Sequence, residues 1–120
     1  MDSMKMAVVA AFLKEFKMLV TKNKGFYVVN RLEHMNALAE LGITEQNRKN
    51  EILSLSNENY CSGPEPDRDQ TGEVWKFGTE INGHEVHIKL KIAEIGKEKI
   101  AKCISFHKAK HSQKYPLRNN

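Results

Sequence analysis

Two alternating stretches decide the fold: "EVWKFGTEI" (residues 73–81) and "HEVHIKLKI" (residues 84–92), on either side of Asn82-Gly83. An Asn-Gly pair predicts a β-hairpin because a type I′ turn requires positive φ at both central residues. Counting outward from that turn pairs the following residues: Ile81 with His84, Thr79 with Val86, Gly78 with His87, Phe77 with Ile88, Lys76 with Lys89 and Trp75 with Leu90. One face of the hairpin is then an apolar core of Trp75, Phe77, Ile88 and Leu90, which a slip of one residue would scatter.

The other face of the hairpin carries Lys76, His87, Lys89 and Lys91. A third strand, "KIAKCISFH" (residues 99–107), follows a second turn signal near Gly96-Lys97. We expect that turn to produce these neighbours: His107 beside His87, Ser105 beside Lys89, Cys103 beside Lys91, and Ile104 and Phe106 in the core. Two histidines and three lysines would then share one open sheet surface.

Lysines oppose one another on this face, since Lys76 pairs with Lys89. Like charges directly across two strands are destabilising, and local violations of such a rule tend to mark functional sites. A bound phosphodiester would remove the repulsion. Alternating lysines are also typical of a solvated face that protects a sheet edge against aggregation, and a strand histidine is commonly an ordinary surface residue. Both interpretations stand at this point.

These residue types suit the cleavage of RNA without a metal ion. The reaction requires a base for the ribose 2′-hydroxyl, cations for the charge on phosphorus, and an acid for the leaving 5′-oxygen. Histidine titrates near neutrality and can take either proton role. We therefore predict His87 and His107 as the acid/base pair and Lys76 and Lys89 as phosphate clamps. Further candidate RNA contacts are Arg68, Lys91, Lys108 and Lys110.

Helices precede the sheet in the sequence. The residues that recur at helical spacing near the N-terminus are Val9, Phe12, Leu13, Phe16, Leu19 and Val20. A short strand is predicted in "FYVV" (26–29), followed by a helix in "NRLEHMNALAELG" (30–42) that is capped by Asn30 and ended by Gly42. A second helix is predicted in "ITEQNRKNEILSLS" (43–56), with Thr44 and Asn47 as an imperfect cap. The polar segment "NENYCSGPEPDRDQTGE" (57–73) predicts a long loop. We expect one α+β domain over residues 1–120, with N-terminal helices packed on one face of a C-terminal antiparallel sheet.

Charge and cysteine content narrow the class of protein. The net charge is +4, and residues 107–120 contain no acid, so this basic tail is either solvated or in contact with phosphate. No segment approaches the roughly 20 apolar residues of a membrane span. Cys61 and Cys103 show no metal-ligand spacing, which predicts no metal site, no disulfide framework and a reducing cytoplasm. No cofactor-binding fingerprint is present, and neither cysteine lies in a Cys/His arrangement typical of a nucleophile.

The order of several short motifs resembles the MqsR family of type II toxin–antitoxin toxins (motility quorum-sensing regulators). It runs from a helix through "LSNENY", the long loop and the tryptophan strand to "EVHIKLKI" and "CISFH", over roughly residues 10–117. The resemblance implies a RelE-like α+β fold, ribosome-independent cleavage of mRNA without a metal, and inhibition by a cognate antitoxin. That antitoxin would be MqsA-like, with a zinc-binding domain and a DNA-binding domain.

The resemblance also assigns residues. His87 stands where the family has a strand tyrosine, Lys89 matches the lysine two positions on, and His107 stands where the family has a lysine after "SF". Lys76 matches a polar residue after the strand tryptophan, whereas Cys61 replaces a family lysine. Two other classes remain as alternatives: a non-catalytic nucleic-acid-binding module that uses the same basic face, and a protein-interaction domain that recruits a partner through that face or a sheet edge.

Overall fold

The computed structural model describes residues 2–29 and 36–118 and has the expected α+β class, with helix α1 packed on a five-stranded sheet. The elements follow in this order: α1 Ser3–Val20, β1 Phe26–Val28, α2 Ala37–Leu41, α3 Glu45–Leu53, a 3₁₀ turn Asn57–Asn59, β2 Tyr60–Pro66, β3 Glu73–Ile81, β4 His84–Ile95 and β5 Glu98–Lys108. The strand order across the sheet is β1-β5-β4-β3-β2. Within the described ranges, no helix combines the length and the apolar character needed to cross a bilayer.

Helix α1 covers the apolar face of the sheet, as its periodicity predicts. The carboxylate of Asp2 caps it by accepting from the backbone N–H of Lys5 at 3.0 Å. The predicted stripe is buried in full: Val9, Phe12, Leu13, Phe16, Leu19 and Val20. Phe12 stacks on Trp75 of β3 with ring centroids 4.5 Å apart and an interplanar angle of 17°. The tryptophan is therefore a core residue and not a platform for base stacking.

Each of the two short helices has one end at a predicted capping residue. Helix α2 terminates at Gly42, whose φ of 70° is the left-handed conformation that glycine adopts most easily. Helix α3 starts after Thr44, which exchanges hydrogen bonds with Asn47 in a complete capping box. The predicted cap Asn30 lies outside the described residues, as does His34. Within the described residues, α2 has Asn36 at its N-cap position.

The β3–β4 hairpin has the predicted register throughout. Its turn residues, Asn82 and Gly83, have φ values of 50° and 81°, as a type I′ turn requires. The observed partners are Ile81 with His84, Thr79 with Val86, Gly78 with His87, Phe77 with Ile88, Lys76 with Lys89 and Trp75 with Leu90. Phe77, Ile88 and Leu90 are fully buried.

The β4–β5 hairpin confirms two of the three predicted neighbours on the polar face and corrects the third. His87 pairs with His107 and Lys89 with Ser105, but Cys103 pairs with Leu90. A β-bulge between Lys89 and Leu90 causes the difference, because it leaves an extra residue, Ile104, on β5. Cys103 consequently enters the core, whereas Ile104 lies on the opposite face beside Lys89. Ile104 and Phe106 are both buried, as expected, with 7% and 0% exposure, although Ile104 is not part of the core cluster that contains Phe106.

The C-terminal strands β2 to β5 are antiparallel, as expected. The N-terminal strand β1, whose pairing was not predicted, is parallel to β5. One expectation about the sheet was wrong. The segment predicted as a long loop contains the 3₁₀ turn and strand β2, which pairs with β3 through two register shifts. Glycine and proline obscure this strand in the sequence, and proline is tolerated there because β2 lies at the edge of the sheet.

The basic C-terminal segment folds back onto the sheet and is not simply a solvated tail. After β5 ends, the backbone N–H of Ala109 donates to the carbonyl of Glu85 at 2.8 Å. Leu117 is buried in the hydrophobic core cluster. Gln113 and Tyr115 make hydrogen bonds to residues of β4. This segment, residues 109–118, therefore closes one end of the polar face.

Candidate functional site

The two predicted catalytic histidines face one another across β4 and β5. The ring centroids of His87 and His107 lie 5.3 Å apart, with the planes inclined by 40°. Both rings line an open pocket of about 320 Å³, which we call the histidine pocket. Its lining residues are His87, Lys89, Ser105, His107, Ala109, Lys110, His111 and Gln113. The sheet register thus places two imidazoles within reach of one small group.

His87 is held by a side chain that the sequence did not single out. Its Nδ1 lies 3.1 Å from Oε1 of Gln113. The Gln113 amide nitrogen donates to the carbonyl oxygen of Val86 at 3.1 Å and to the hydroxyl of Tyr115 at 3.2 Å. Tyr115 in turn donates to a carboxylate oxygen of Glu85 at 2.9 Å. A continuous chain of hydrogen bonds therefore connects Glu85 to His87.

The environment of His87 favours its neutral form. Burial lowers the pKa of His87 below its ordinary value of 6.5. The hydrogen bond to Gln113 opposes this shift, whereas His107, Lys89 and Lys76 reinforce it through their positive charge. The sequence predicted the lysine effect, but burial contributes more. A neutral imidazole at physiological pH can accept a proton, which is the property of a general base.

His107 is oriented by the backbone. Its Nδ1 lies 2.8 Å from the carbonyl oxygen of Lys108, which can only accept, so Nδ1 of His107 carries a proton and donates. Proton transfer at His107 therefore falls to its Nε2. The two histidines thus have defined orientations and lie close enough to serve the two ends of one reacting group.

The two predicted phosphate clamps lie on neighbouring strands, in different surroundings. Lys76 and Lys89 face each other across β3 and β4, as predicted. Lys76 lies 3.4 Å from a carboxylate oxygen of Glu65 on β2, which partly offsets the repulsion. Lys89 lines both the histidine pocket and an adjacent pocket of about 420 Å³ that also contains Lys76 and Arg68. Lys89 is therefore a lining residue shared by the two pockets.

Lys91 departs from its predicted role. The residue is only 2% exposed, so its ammonium group does not reach the open face. It donates to the carboxylate of Asp67 at 2.6 Å and to the carbonyl of Thr71 at 2.5 Å. The segment between β2 and β3 folds over this end of β4 and encloses the lysine. Lys91 is thus a structural cation and not an RNA contact in this arrangement.

The remaining basic candidates lie around the two pockets. Arg68 is exposed and lines the pocket that contains Lys76. Lys110 is exposed and lines the histidine pocket. Lys108 is half-buried at the end of β5, opposite Val86. Among the other histidines, His111 is exposed at the histidine pocket, and His84 is exposed beside the turn.

Glu85, Gln113 and Tyr115 are residues to which the sequence analysis assigned no role in the site. Glu85 is the one acid in the alternating polar face of β4 up to Lys91, and this exception was a usable signal. Tyr115 and Leu117 interrupt the basic tail, which indicates packing against the domain. Gln113 carries no such signal, because its role depends on where the C-terminal segment crosses the sheet.

Gly78 allows the C-terminal segment to approach the sheet. A Cβ atom at this position would collide with the amide nitrogen of Gln113 and the hydroxyl of Tyr115. Both atoms are the far ends of side chains that can move, so we expect Gly78→Ala to displace them and to lower the free energy of unfolding by only about 1 kcal/mol, the low end of the range for overpacking. Denaturant unfolding measures this change. The loss should be smaller when Gln113→Ala is also present, and equal losses in both backgrounds would contradict the proposed contact.

The geometry of the possible metal ligands and the surroundings of the two cysteines also bear on the site. Over residues 2–29 and 36–118, no group of three or more His, Cys, Asp or Glu side chains is arranged to hold a metal ion. Burial raises the pKa of Cys61 to about 11 and that of Cys103 to about 12. Both cysteines are unpaired thiols in surroundings that disfavour the nucleophilic thiolate.

Comparisons with protein-family models, with curated proteins and with solved structures found no match to this chain. The resemblance to the MqsR family therefore stays a prediction based on the order of short sequence motifs. The geometry of the histidine pocket is an independent basis for a proposal about function.

Proposed function

We propose that the protein is an endoribonuclease toxin of a type II toxin–antitoxin system and cleaves mRNA by attack of the ribose 2′-hydroxyl. The observation that carries this proposal is the pair of imidazoles, His87 and His107, 5.3 Å apart in one open pocket. The attacking 2′-oxygen and the leaving 5′-oxygen flank a single phosphorus atom. A base and an acid that serve them must therefore lie within a few ångströms of each other.

His87 is the general base in this mechanism. Burial and neighbouring positive charges lower its pKa, so it enters the reaction neutral. It removes the proton of the 2′-hydroxyl as that oxygen attacks phosphorus. His107 then donates a proton to the departing 5′-oxygen. The products are a 2′,3′-cyclic phosphate and a 5′-hydroxyl end.

Basic side chains complete the proposed mechanism. Lys89 borders the histidine pocket and stabilises the negative charge that develops on the phosphoryl oxygens. Lys76 and Arg68 extend the positive surface along the adjacent pocket, where the neighbouring phosphates of the RNA chain would lie. Lys108 and Lys110 would contact the chain on the other side.

The cellular setting is part of the same proposal. The motif order supports a RelE-like toxin that acts in the cytoplasm and is held inactive by an MqsA-like antitoxin. Two free cysteines, one fully buried and one half-buried, are compatible with a reducing compartment.

Induced expression in a bacterial host, with mapping of RNA 5′ ends, tests the function. The wild-type protein should arrest growth and generate discrete 5′-hydroxyl ends, whereas His87→Ala should produce neither. His84→Ala is the matched control, because His84 is exposed beside the turn and outside the histidine pocket. Unchanged toxicity of His87→Ala would reject the site. Binding of RNA by a wild-type protein that never cleaves it would favour a nucleic-acid-binding module.

A further inference from the structure

We propose that Gln113 is a positioning residue that fixes the tautomer of His87, and that Tyr115 and Glu85 hold Gln113 in place. The inference deepens the proposed ribonuclease function. Its structural part, the protonation pattern of His87, can nevertheless be tested without RNA.

The orientation of the Gln113 amide follows from its partners. One end of the amide lies 3.1 Å from the carbonyl oxygen of Val86, which has no proton to donate. That end must therefore be the NH₂ group, and the opposite end, toward His87, must be the carbonyl oxygen. A flipped amide would set two oxygens against each other at the Val86 contact.

This orientation determines which nitrogen of His87 carries the proton. Because Oε1 of Gln113 can only accept, Nδ1 of a neutral His87 must be the protonated nitrogen. The lone pair of the imidazole is then on Nε2. A histidine can act as a base only through its unprotonated nitrogen, so the tautomer decides which side of the ring receives the proton of the 2′-hydroxyl.

Tyr115 and Glu85 stabilise the same arrangement. The carboxylate of Glu85 accepts from the Tyr115 hydroxyl at 2.9 Å, so that hydroxyl uses its proton there. Its oxygen then accepts from the NH₂ group of Gln113 at 3.2 Å. Glu85 also accepts from the backbone N–H of Gln113 at 3.3 Å. The donor and the acceptor of each hydrogen bond in this chain are therefore fixed, because the carboxylate of Glu85 accepts at its end.

Several charged or titratable groups surround His87 and bear on its titration. From the strands they are Lys76 on β3, Lys89 and Glu85 on β4, and His107 on β5, and from the C-terminal segment they are Lys110, His111 and Tyr115. Glu85 is the one acid in this set. It reaches His87 through two neutral side chains and so fixes orientation without placing a carboxylate on the ring.

Nuclear magnetic resonance of ¹⁵N-labelled protein without RNA tests the proposal. The ring nitrogens of His87, assigned by their absence in His87→Ala, should show a protonated Nδ1 and an unprotonated Nε2 above the pKa of the ring. Gln113→Ala should shift the neutral ring toward the Nε2-protonated tautomer that free histidine favours. Tyr115→Phe, which keeps the aromatic ring, should produce a smaller shift in the same direction. Gln46→Ala, an exposed glutamine on α3, is the matched control.

RNA cleavage provides a second measurement on the same variants. Gln113→Ala should lower kcat on the order of 10- to 100-fold with little change in KM. Losses of this size are typical in metalloenzymes when the hydrogen-bond partner that orients a histidine is removed. Gln113→Glu places a negative charge beside Nδ1, which stabilises the imidazolium and raises the pKa of His87. The acid limb of the pH–rate profile should therefore move to higher pH in this variant.

A protonated Nε2 in the wild-type protein would overturn the proposal even if every variant failed to fold. A protonated Nδ1 that persists in Gln113→Ala would overturn it as well. If the tautomer follows the prediction but the wild-type protein cleaves no RNA, the positioning inference stands and the proposed ribonuclease function fails. The two conclusions are thus separable.

Discussion

RNA with sulfur in place of the bridging 5′-oxygen at the cleavage site should restore activity to His107→Ala but not to His87→Ala. On ordinary RNA of the same sequence, we expect each variant to be slower than wild type by about 10²–10⁴-fold, the usual contribution of a positioned acid or base. The cleavage site is taken from the 5′-end map of the expression experiment. Rates are measured with purified protein.

The expected rescue follows from the proton that each histidine handles. A thiol is far more acidic than an alcohol, with a pKa near 8.5, so a thiolate departs without first accepting a proton. The acid is then dispensable, and His107→Ala should approach the wild-type rate. The attacking 2′-hydroxyl is the same in both substrates, so His87→Ala still lacks its base. Rescue of His87→Ala alone would reverse the two assignments.

His84→Ala should cleave both substrates at the wild-type rate, because His84 is exposed outside the pocket. Equal defects of His87→Ala and His107→Ala on both substrates would contradict division of the two proton transfers between these residues. That outcome would instead indicate that the imidazoles bind RNA without exchanging protons with it.

The register of the central hairpin could be predicted because one local signal determines it. Asn82 and Gly83 both adopt positive φ, so the turn has two residues and every later pair follows by counting. The buried face then checks the result, because Phe77, Ile88 and Leu90 are all inward. The pairing of Lys76 with Lys89 therefore followed from the sequence without the three-dimensional structure.

The meeting of His87 and His107 depends on a feature that the sequence does not reveal. Near the second turn, Ile95 pairs with Glu98, and continuing that register would place Phe106 opposite His87. The bulge at Ile104 advances β5 by one residue and delivers His107 instead. Bulges are common beside active sites because they redirect a side chain in this way. The predicted neighbour was right, although the uniform register assumed for it was not.

Long-range contacts account for the residues that were missed or misassigned. Gln113 and Lys91 acquire their roles only where the C-terminal segment and the segment after β2 cross the sheet. Neither crossing has a periodic signal, since both segments consist mainly of polar residues, glycine and proline. A lysine on the polar side of an alternating strand is expected to be exposed, and only tertiary structure shows that Lys91 is covered.

Asp67→Asn is expected to lower the free energy of unfolding by about 2 kcal/mol, within the range for a hydrogen bond between charged groups. The side chain of Lys91 is 3% exposed and lies 2.6 Å from the Asp67 carboxylate. Asparagine keeps an oxygen at this position but leaves the buried ammonium without a counter-charge. Denaturant unfolding at neutral pH measures the difference.

Two comparisons test whether the loss of stability depends on the burial of this ion pair. Glu15→Gln removes the partner of Lys99 in a pair whose side chains are 39% and 47% exposed, and the unfolding midpoint should hardly change. The double variant Asp67→Leu with Lys91→Met replaces the buried pair by apolar side chains and should be more stable than Asp67→Asn. If Asp67→Asn and Glu15→Gln had equal, negligible effects, the pair would not be buried in solution.

Acid unfolding offers a further measure of the same contact. The hydrogen bond from Lys91 is the main cause that lowers the pKa of Asp67 below its ordinary value of 3.8. The carboxylate therefore contributes stability that is fully present above pH 3.8 and is lost as the pH falls through the lower folded-state pKa. Asp67→Asn should lack this part of the acid dependence.

Because Asp67 also anchors the segment that carries Arg68 beside Lys76 and Lys89, the variant should weaken RNA binding under conditions in which it remains folded.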